Sequence, residues 1–195
     1  MTKQSIAILS TCAVLAVTTL FGCTQMSEQV KDKSVGMNGG FEHTESGLPV
    51  NWIVYTPETI PTGDYDLLFD QADFKEGTQS LKFLVREVGS IGGWHSPGIT
   101  KQYPVTPGAS YRISFWIKSQ GSDWFVSYAG VAAKRGAPYQ TIDSSNMAED
   151  TWHHVERRYT IPQELKEIRF ELSIRSPGTV WIDDVRIEPV VDDGG

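Results

Sequence analysis

Between Asn38 and Val190 the chain is written in short runs whose apolar residues recur at every second position, divided by Gly, Pro, Asn and Asp. That period sends alternate side chains to opposite faces of an extended strand. In Ser110–Ser119, Tyr111, Ile113, Phe115 and Ile117 share one face, with Arg112, Ser114, Trp116 and Lys118 on the other. Glu167–Arg175 sets Ile168, Phe170, Leu172 and Ile174 against Arg169, Glu171, Ser173 and Arg175. Gln79–Glu87, with Leu81, Phe83 and Val85, follows suit, and Asn51–Thr56, Tyr65–Gln71, Trp124–Ala132, Trp152–Ile161 and Thr179–Val190 are further candidates. Pro61, Pro97, Pro107 and Pro162 fall outside these runs or at their edges, where a missing N–H breaks no ladder. Beyond a single turn at Pro162–Lys166, no window carries a helical stripe. Short strands in this number predict an all-β domain over residues 38–191, folded as a two-sheet antiparallel β-sandwich.

The N-terminal residues obey another pattern. Behind Lys3, the stretch Ile6–Phe21 is uncharged. It is short for a membrane-spanning helix, which needs roughly 20 apolar residues, and suits the core of a signal peptide. It ends in Leu20-Phe21-Gly22-Cys23, which resembles the lipobox of bacterial lipoproteins. There a small residue such as Gly22 admits the peptidase and the Cys23 thiol takes the lipid. Residues 1–22 are therefore expected to be a signal peptide and Cys23 the lipidated N-terminus, the anchor to the membrane. The polar stretch 23–37 reads as a flexible tether and 192–195 as a tail. Thr24 stands where an Asp often marks inner-membrane retention in Gram-negative lipoproteins, so the resemblance points to the outer membrane.

Composition narrows the picture further. Of two cysteines, Cys12 lies in the leader, so the mature chain forms no internal disulfide and folds by burial alone. A net charge of −7 without a basic run argues against nucleic acid, because neutralising phosphates takes clustered Lys and Arg.

A series of landmarks spans the β-domain. They are Asn38-Gly39-Gly40-Phe41-Glu42, Gly47-Leu48-Pro49-Val50-Asn51-Trp52 and Glu76-Gly77-Thr78-Gln79-Ser80-Leu81-Lys82, then the long Val105–Lys118 with Pro107-Gly108, Tyr111 and Ser114-Phe115-Trp116. Trp152-His153-His154-Val155 and Trp181-Ile182-Asp183-Asp184-Val185 complete the set. In this order they resemble carbohydrate-binding modules of the galactose-binding-like jelly-roll superfamily, the group of families 4, 9, 16 and 22. The resemblance implies a jelly-roll sandwich that binds poly- or oligosaccharide. It also implies a structural calcium ion tying the N-terminal stretch to the last strand. Its ligands here would be the Glu42 and Asp183 carboxylates and carbonyls near Gly40 and Thr78.

Fold alone does not give a ligand, so the residues must argue for one. Aromatic rings stack on the apolar faces of sugars. Trp94, in the Gly-rich Ser90–Gly98 beside His95, reads as a loop aromatic offered to solvent, and Tyr139 as another. Trp124 follows a turn, with Tyr128 on its face, and Trp116 lies opposite the apolar face of its strand. Each has core packing as its alternative, which is the expectation for Trp52, Trp152 and Trp181. Arg169 and Glu171 are candidate polar partners, with Arg175 or Gln140 beside them; the sequence does not decide which outward face is concave. No H-E-x-x-H, G-x-S-x-G or cysteine nucleophile occurs, and the adjacent His153 and His154 point opposite ways on a strand. The expectation is a non-catalytic glycan-binding lipoprotein at the cell envelope. A protein- or cell-wall-interaction module on the same fold, and a polysaccharide lyase or glycoside hydrolase, are the alternatives.

Overall fold

The computed structural model describes residues 35–55, 63–91, 94–130, 139–145 and 149–191. The leader, Cys23 and most of the expected tether lie outside them. Gly36 and Met37, assigned above to the tether, are tied to the domain: Asn51 Nδ2 donates to the Gly36 carbonyl at 3.0 Å, and Met37 packs against the core.

The strands are β1 (Thr44–Glu45), β2 (Leu48–Pro49), β3 (Ile53–Tyr55), β4 (Asp64–Asp70), β5 (Ser80–Glu87), β6 (Gly89–Ile91), β7 (Trp94–Ser96) and β8 (Gly98–Pro104). After them come β9 (Ser110–Gln120), β10 (Trp124–Gly130), β11 (Tyr139–Ser145), β12 (Glu149–Thr160), β13 (Glu167–Ile174) and β14 (Gly178–Pro189). Two five-stranded antiparallel sheets face each other, in the orders β11-β10-β13-β8-β3 and β12-β9-β14-β5-β4. We call them the first and second sheets. The β1-β2 and β6-β7 pairs are separate small hairpins.

Each sheet turns its apolar phase inward. Ile113, Phe115 and Ile117 of β9 meet Ile168, Phe170 and Leu172 of β13, all at most 1% exposed. Phe170 links the sheets with edge contacts to Phe115 at 5.8 Å and Trp52 at 5.9 Å, the arrangement that ring quadrupoles favour. The indole N–H of Trp52 donates to the Asn38 carbonyl at 2.9 Å, so a buried polar atom finds its partner in the entering chain.

That entering chain passes hard against β14. A bulge between Asp183 and Arg186 lets the Val185 N–H reach the Gly39 carbonyl at 3.0 Å. A Cβ at Gly39 would lie 1.8 Å from the Val185 carbonyl oxygen, so only glycine fits.

Three stretches depart from the sequence reading. Ser90–Gly98 is largely the β6-β7 hairpin and not a presenting loop, with Ser90 paired to His95. The strand β8 was not anticipated, because Lys101 occupies an inward position between Ile99 and Tyr103, where its ammonium donates to the Asn51 carbonyl at 2.9 Å. Nor was β11, whose residues are mostly polar and exposed.

Candidate functional site

The predicted ligand set does not converge on one face. Trp124 and Tyr128 are 3% and 4% exposed and belong to the core; expecting them at a ligand surface was wrong. The phase of β10 is set by Trp124, Val126 and Tyr128 pointing inward, which turns Phe125, Ser127 and Ala129 outward. Trp116 does face outward, but from the second sheet, against the His154 ring at 4.7 Å and under the Lys75 ammonium at 4.5 Å. Arg169, Glu171 and Tyr139 face outward from the first sheet, so Trp116 cannot share a site with them. Trp94 lies in β7, with its side chain outside the described residues. Trp52 is in the core as expected. Trp181 is buried as expected, at 5% exposed, but on the outer side of the second sheet, where Trp152 also sits; the Trp152 indole N–H donates to Asp73 at 2.6 Å and that of Trp181 to Asp70 at 2.9 Å.

The outer face of the first sheet is built in three cross-strand rungs. One runs Tyr55, Gly98, Ser173, Phe125; the next Ile53, Thr100, Glu171, Ser127, Thr141; the last Gln102, Arg169, Ala129, Tyr139. Gly98, Ser173, Thr100, Ser127 and Ala129 are small, so the centre is low around the Arg169 and Glu171 side chains. Tyr55 bounds it on the β3 side, and Phe125 and Tyr139 bound it on the other. With strands about 4.8 Å apart, the three spacings from β3 to β10 leave about 14 Å between those walls.

The floor of this trough is polar yet sunken. Thr100, Ser127 and Ser173 are 2%, 7% and 3% exposed. The Arg169 and Glu171 side chains, 19% and 13% exposed, pair across 3.4 Å, and the Ser173 hydroxyl donates to Glu171 at 3.3 Å. Burial raises the Glu171 carboxyl above the usual carboxylate range, with Arg169 and Ser173 pulling it back in part. Burial and then the Glu171 charge push the Tyr55 hydroxyl up, so it stays a neutral donor and acceptor at any ordinary pH. The trough therefore offers guanidinium donors, a carboxylate acceptor and hydroxyls of either sense between aromatic walls. That chemistry suits a ligand with many hydroxyls and flat apolar faces. Tyr55 and Phe125 escaped the sequence reading: β3 is too short to show a period, and β10 carries aromatics on both faces.

The residues expected around calcium do come together. The Glu42 carboxylate accepts from the Thr78 N–H at 2.9 Å, the Thr78 hydroxyl at 2.6 Å and the Gln79 N–H at 3.3 Å. A Cβ at Gly77 would lie 2.2 Å from Glu42 Oε1, so glycine there lets that carboxylate in, and Gly40 passes within ordinary contact of both carboxylate side chains, its Cβ position 3.8 Å from Glu42 Cγ and 4.0 Å from Asp183 Oδ1. Asp183 is fully buried and accepts N–H bonds from Lys75 at 2.7 Å, Glu76 at 3.0 Å and Asp184 at 2.7 Å. Burial pushes its carboxyl up to about 6 in spite of those bonds. Among the described residues no three His, Cys, Asp or Glu side chains converge on a metal position. An ion here would draw on two carboxylates and on backbone oxygens, as calcium does.

A two-sheet jelly roll with an aromatic-walled polar trough on one sheet defines a carbohydrate-binding module. The chain belongs to the carbohydrate-binding domain family that matches residues 33–179, a family that is generally non-catalytic. The fold is similar to a CBM4 module, with TM-score 0.56 and 15% identity over 78% of this chain and 98% of that one. It is also similar to the CBM22-1 xylan-binding domain of Paenibacillus barcinonensis Xyn10C, with TM-score 0.55 and 15% identity over 78% and 92%. A CBM61 module solved with β-1,4-galactotriose gives TM-score 0.55 and 18% identity over 78% and 96%. Comparison with curated protein sequences finds no significant match.

Proposed function

We propose that this domain retains poly- or oligosaccharide at the bacterial cell envelope, binding it in the trough of the first sheet while the lipid on Cys23 anchors the chain. The observation that carries the binding half is the sunken Arg169–Glu171 pair on the outward side of a sheet. The pair sets guanidinium donors beside a carboxylate acceptor on the outward side of the sheet, the complement that a sugar's hydroxyls match. Tyr55, Phe125 and Tyr139 would stack on the ring faces. The anchoring half is supported by the sequence alone: the uncharged Ile6–Phe21 and the Leu20–Cys23 box. One acyl chain, at about 0.8 kcal/mol per buried CH₂, holds only marginally, but a lipobox Cys carries a diacylglycerol, and its two chains together suffice to anchor a chain whose own charge is negative.

A calcium ion between Glu42 and Asp183 belongs to the same proposal. In its favour is a fully buried carboxylate, Asp183, whose hydrogen bonds among the described residues come from neutral N–H groups only.

Native gels cast with xylan, β-glucan or galactan test the trough. Purified protein is expected to be slowed by at least one of them, and the Arg169→Ala/Glu171→Gln double variant to run freely. Undiminished retardation of that variant would move the ligand off this face. Membrane association should disappear in Cys23→Ser. Calcium should raise the thermal midpoint over chelator; equal midpoints remove the ion.

A further inference from the structure

Arg175 follows β13 two residues beyond Ser173 and continues its outward phase, at one end of the trough. Its N–H is fixed by the Asp123 carbonyl at 2.9 Å, and its guanidinium lies 4.3 Å from the centroid of the Phe125 ring. Phe125 is itself braced edge-on by Tyr139 at 5.4 Å. Arg86, Arg112, Arg157, Arg169 and Arg186 each have a carboxylate within 4.0 Å. Arg175, like Arg158 on the second sheet, has none among the described residues; it is exposed at the rim of the trough.

A guanidinium laid on a ring gives up one flat face and keeps its N–H edge, a planar fork that matches a carboxylate in two parallel bonds. On the trough floor Arg169 and Glu171 pair with each other, whereas the Arg175 guanidinium has no described carboxylate within 4.0 Å, its cross-strand neighbour Asp123 included, and keeps its fork open. A neutral sugar makes no use of the guanidinium's charge, whereas a uronic acid does. We propose that Arg175, braced on Phe125, is a subsite for the carboxylate of a uronic acid residue, and that the trough prefers acidic glycans to neutral ones. This rests on the trough being the glycan site.

The probes are glucuronoxylan and polygalacturonate, each beside its carboxyl-reduced form, which keeps the backbone and removes the charge. Affinities for purified protein and for Arg175→Gln would be measured at low and high salt. The expected result is at least about fivefold tighter binding of an acidic glycan than of its reduced partner, weakened by salt and abolished in Arg175→Gln. Because Arg175 is exposed, that variant should fold, and an unchanged melting midpoint verifies it. Equal binding of acidic and reduced glycans, lost in the Arg169→Ala/Glu171→Gln variant, would overturn the subsite and leave the trough standing. Binding to none of the probes or to neutral xylan, β-glucan and galactan would overturn both.

Discussion

On the outer face of the second sheet, polar and aromatic side chains hold one another. Asp73 takes the Lys118 ammonium at 2.6 Å and the Trp152 indole at 2.6 Å; Asp70 takes Lys82 at 3.0 Å and Trp181 at 2.9 Å. Lys82 and Lys118 lie over the Trp181 ring at 4.8 and 4.7 Å, Arg112 pairs with Glu188, and Arg186 bridges Asp184 and Glu76. On the outer face of the first sheet the centre is small and low, one charged pair is sunk in it, and an arginine rests on a ring with its donors outward. Both faces come from the same alternation of inward and outward residues. One spends its outward groups on itself, and the other keeps them for a visitor. With the trough proposed as the glycan site, the count of tryptophans is no guide to it: Trp116, Trp152 and Trp181 stand on the self-satisfied face.

The widest blow falls on both faces at once. Phe170→Ala empties the contact between the sheets and should cost about 3–5 kcal/mol in urea unfolding. A loss under about 1 kcal/mol would mean that the sheets do not depend on it. Next, Asp73→Ala strands Lys118 and Trp152 and should cost about 1–3 kcal/mol while glycan retention stays at the wild-type level. Reduced retention in that variant would erase the division of labour between the faces.

Acid should act with opposite sign through Asp70 on one sheet and Glu171 on the other. Burial alone would raise Asp70, but Trp181, the Ala72 N–H and Lys82 outweigh it and hold it at about 2. Its support is present above 3.8 and lost as pH falls toward 2, so Asp70→Asn should be the less acid-sensitive protein between pH 4 and 2. Glu171 is raised, so the folded state takes up its proton more readily than the unfolded one, and stability gains as pH falls toward 4.5. As pH is lowered from 7 to 4.5, the urea midpoint should therefore gain less in Glu171→Gln than in wild type. The smallest effect is expected at the exposed rim: Tyr139→Ala should weaken retention about two- to fivefold with no change in the melting midpoint.

How much of this was legible depended on how pure each strand's phase was. In β9 and β13 one face is apolar throughout, and both strands and their inward residues could be read directly. In β8 an inward Lys101 broke the pattern, and with it went Thr100 and Gln102 of the trough. In β10 Trp124 and Phe125 are neighbours with equal claims to the core, and only the neighbouring strands decide between them. The outward phase of Arg169, Glu171 and Trp116 could be read because their strands were clear; that Trp116 faces out from the other sheet could not, because outwardness belongs to a strand, while the face shared belongs to the sheet. Sheet membership depends on pairing between residues far apart in sequence, and no local period encodes it.

The close passage of Gly39 across Val185 has a mechanical side. Residues 36 to 39 are fastened to Asn51, to Trp52 and to β14, which lies between β5 and β9 in the middle of its sheet. A pull arriving from the N-terminal side would meet these bonds together, loading them in shear before any edge strand could be peeled away. A domain moored at that end can be tugged by a long, moving polymer and keep its trough in shape.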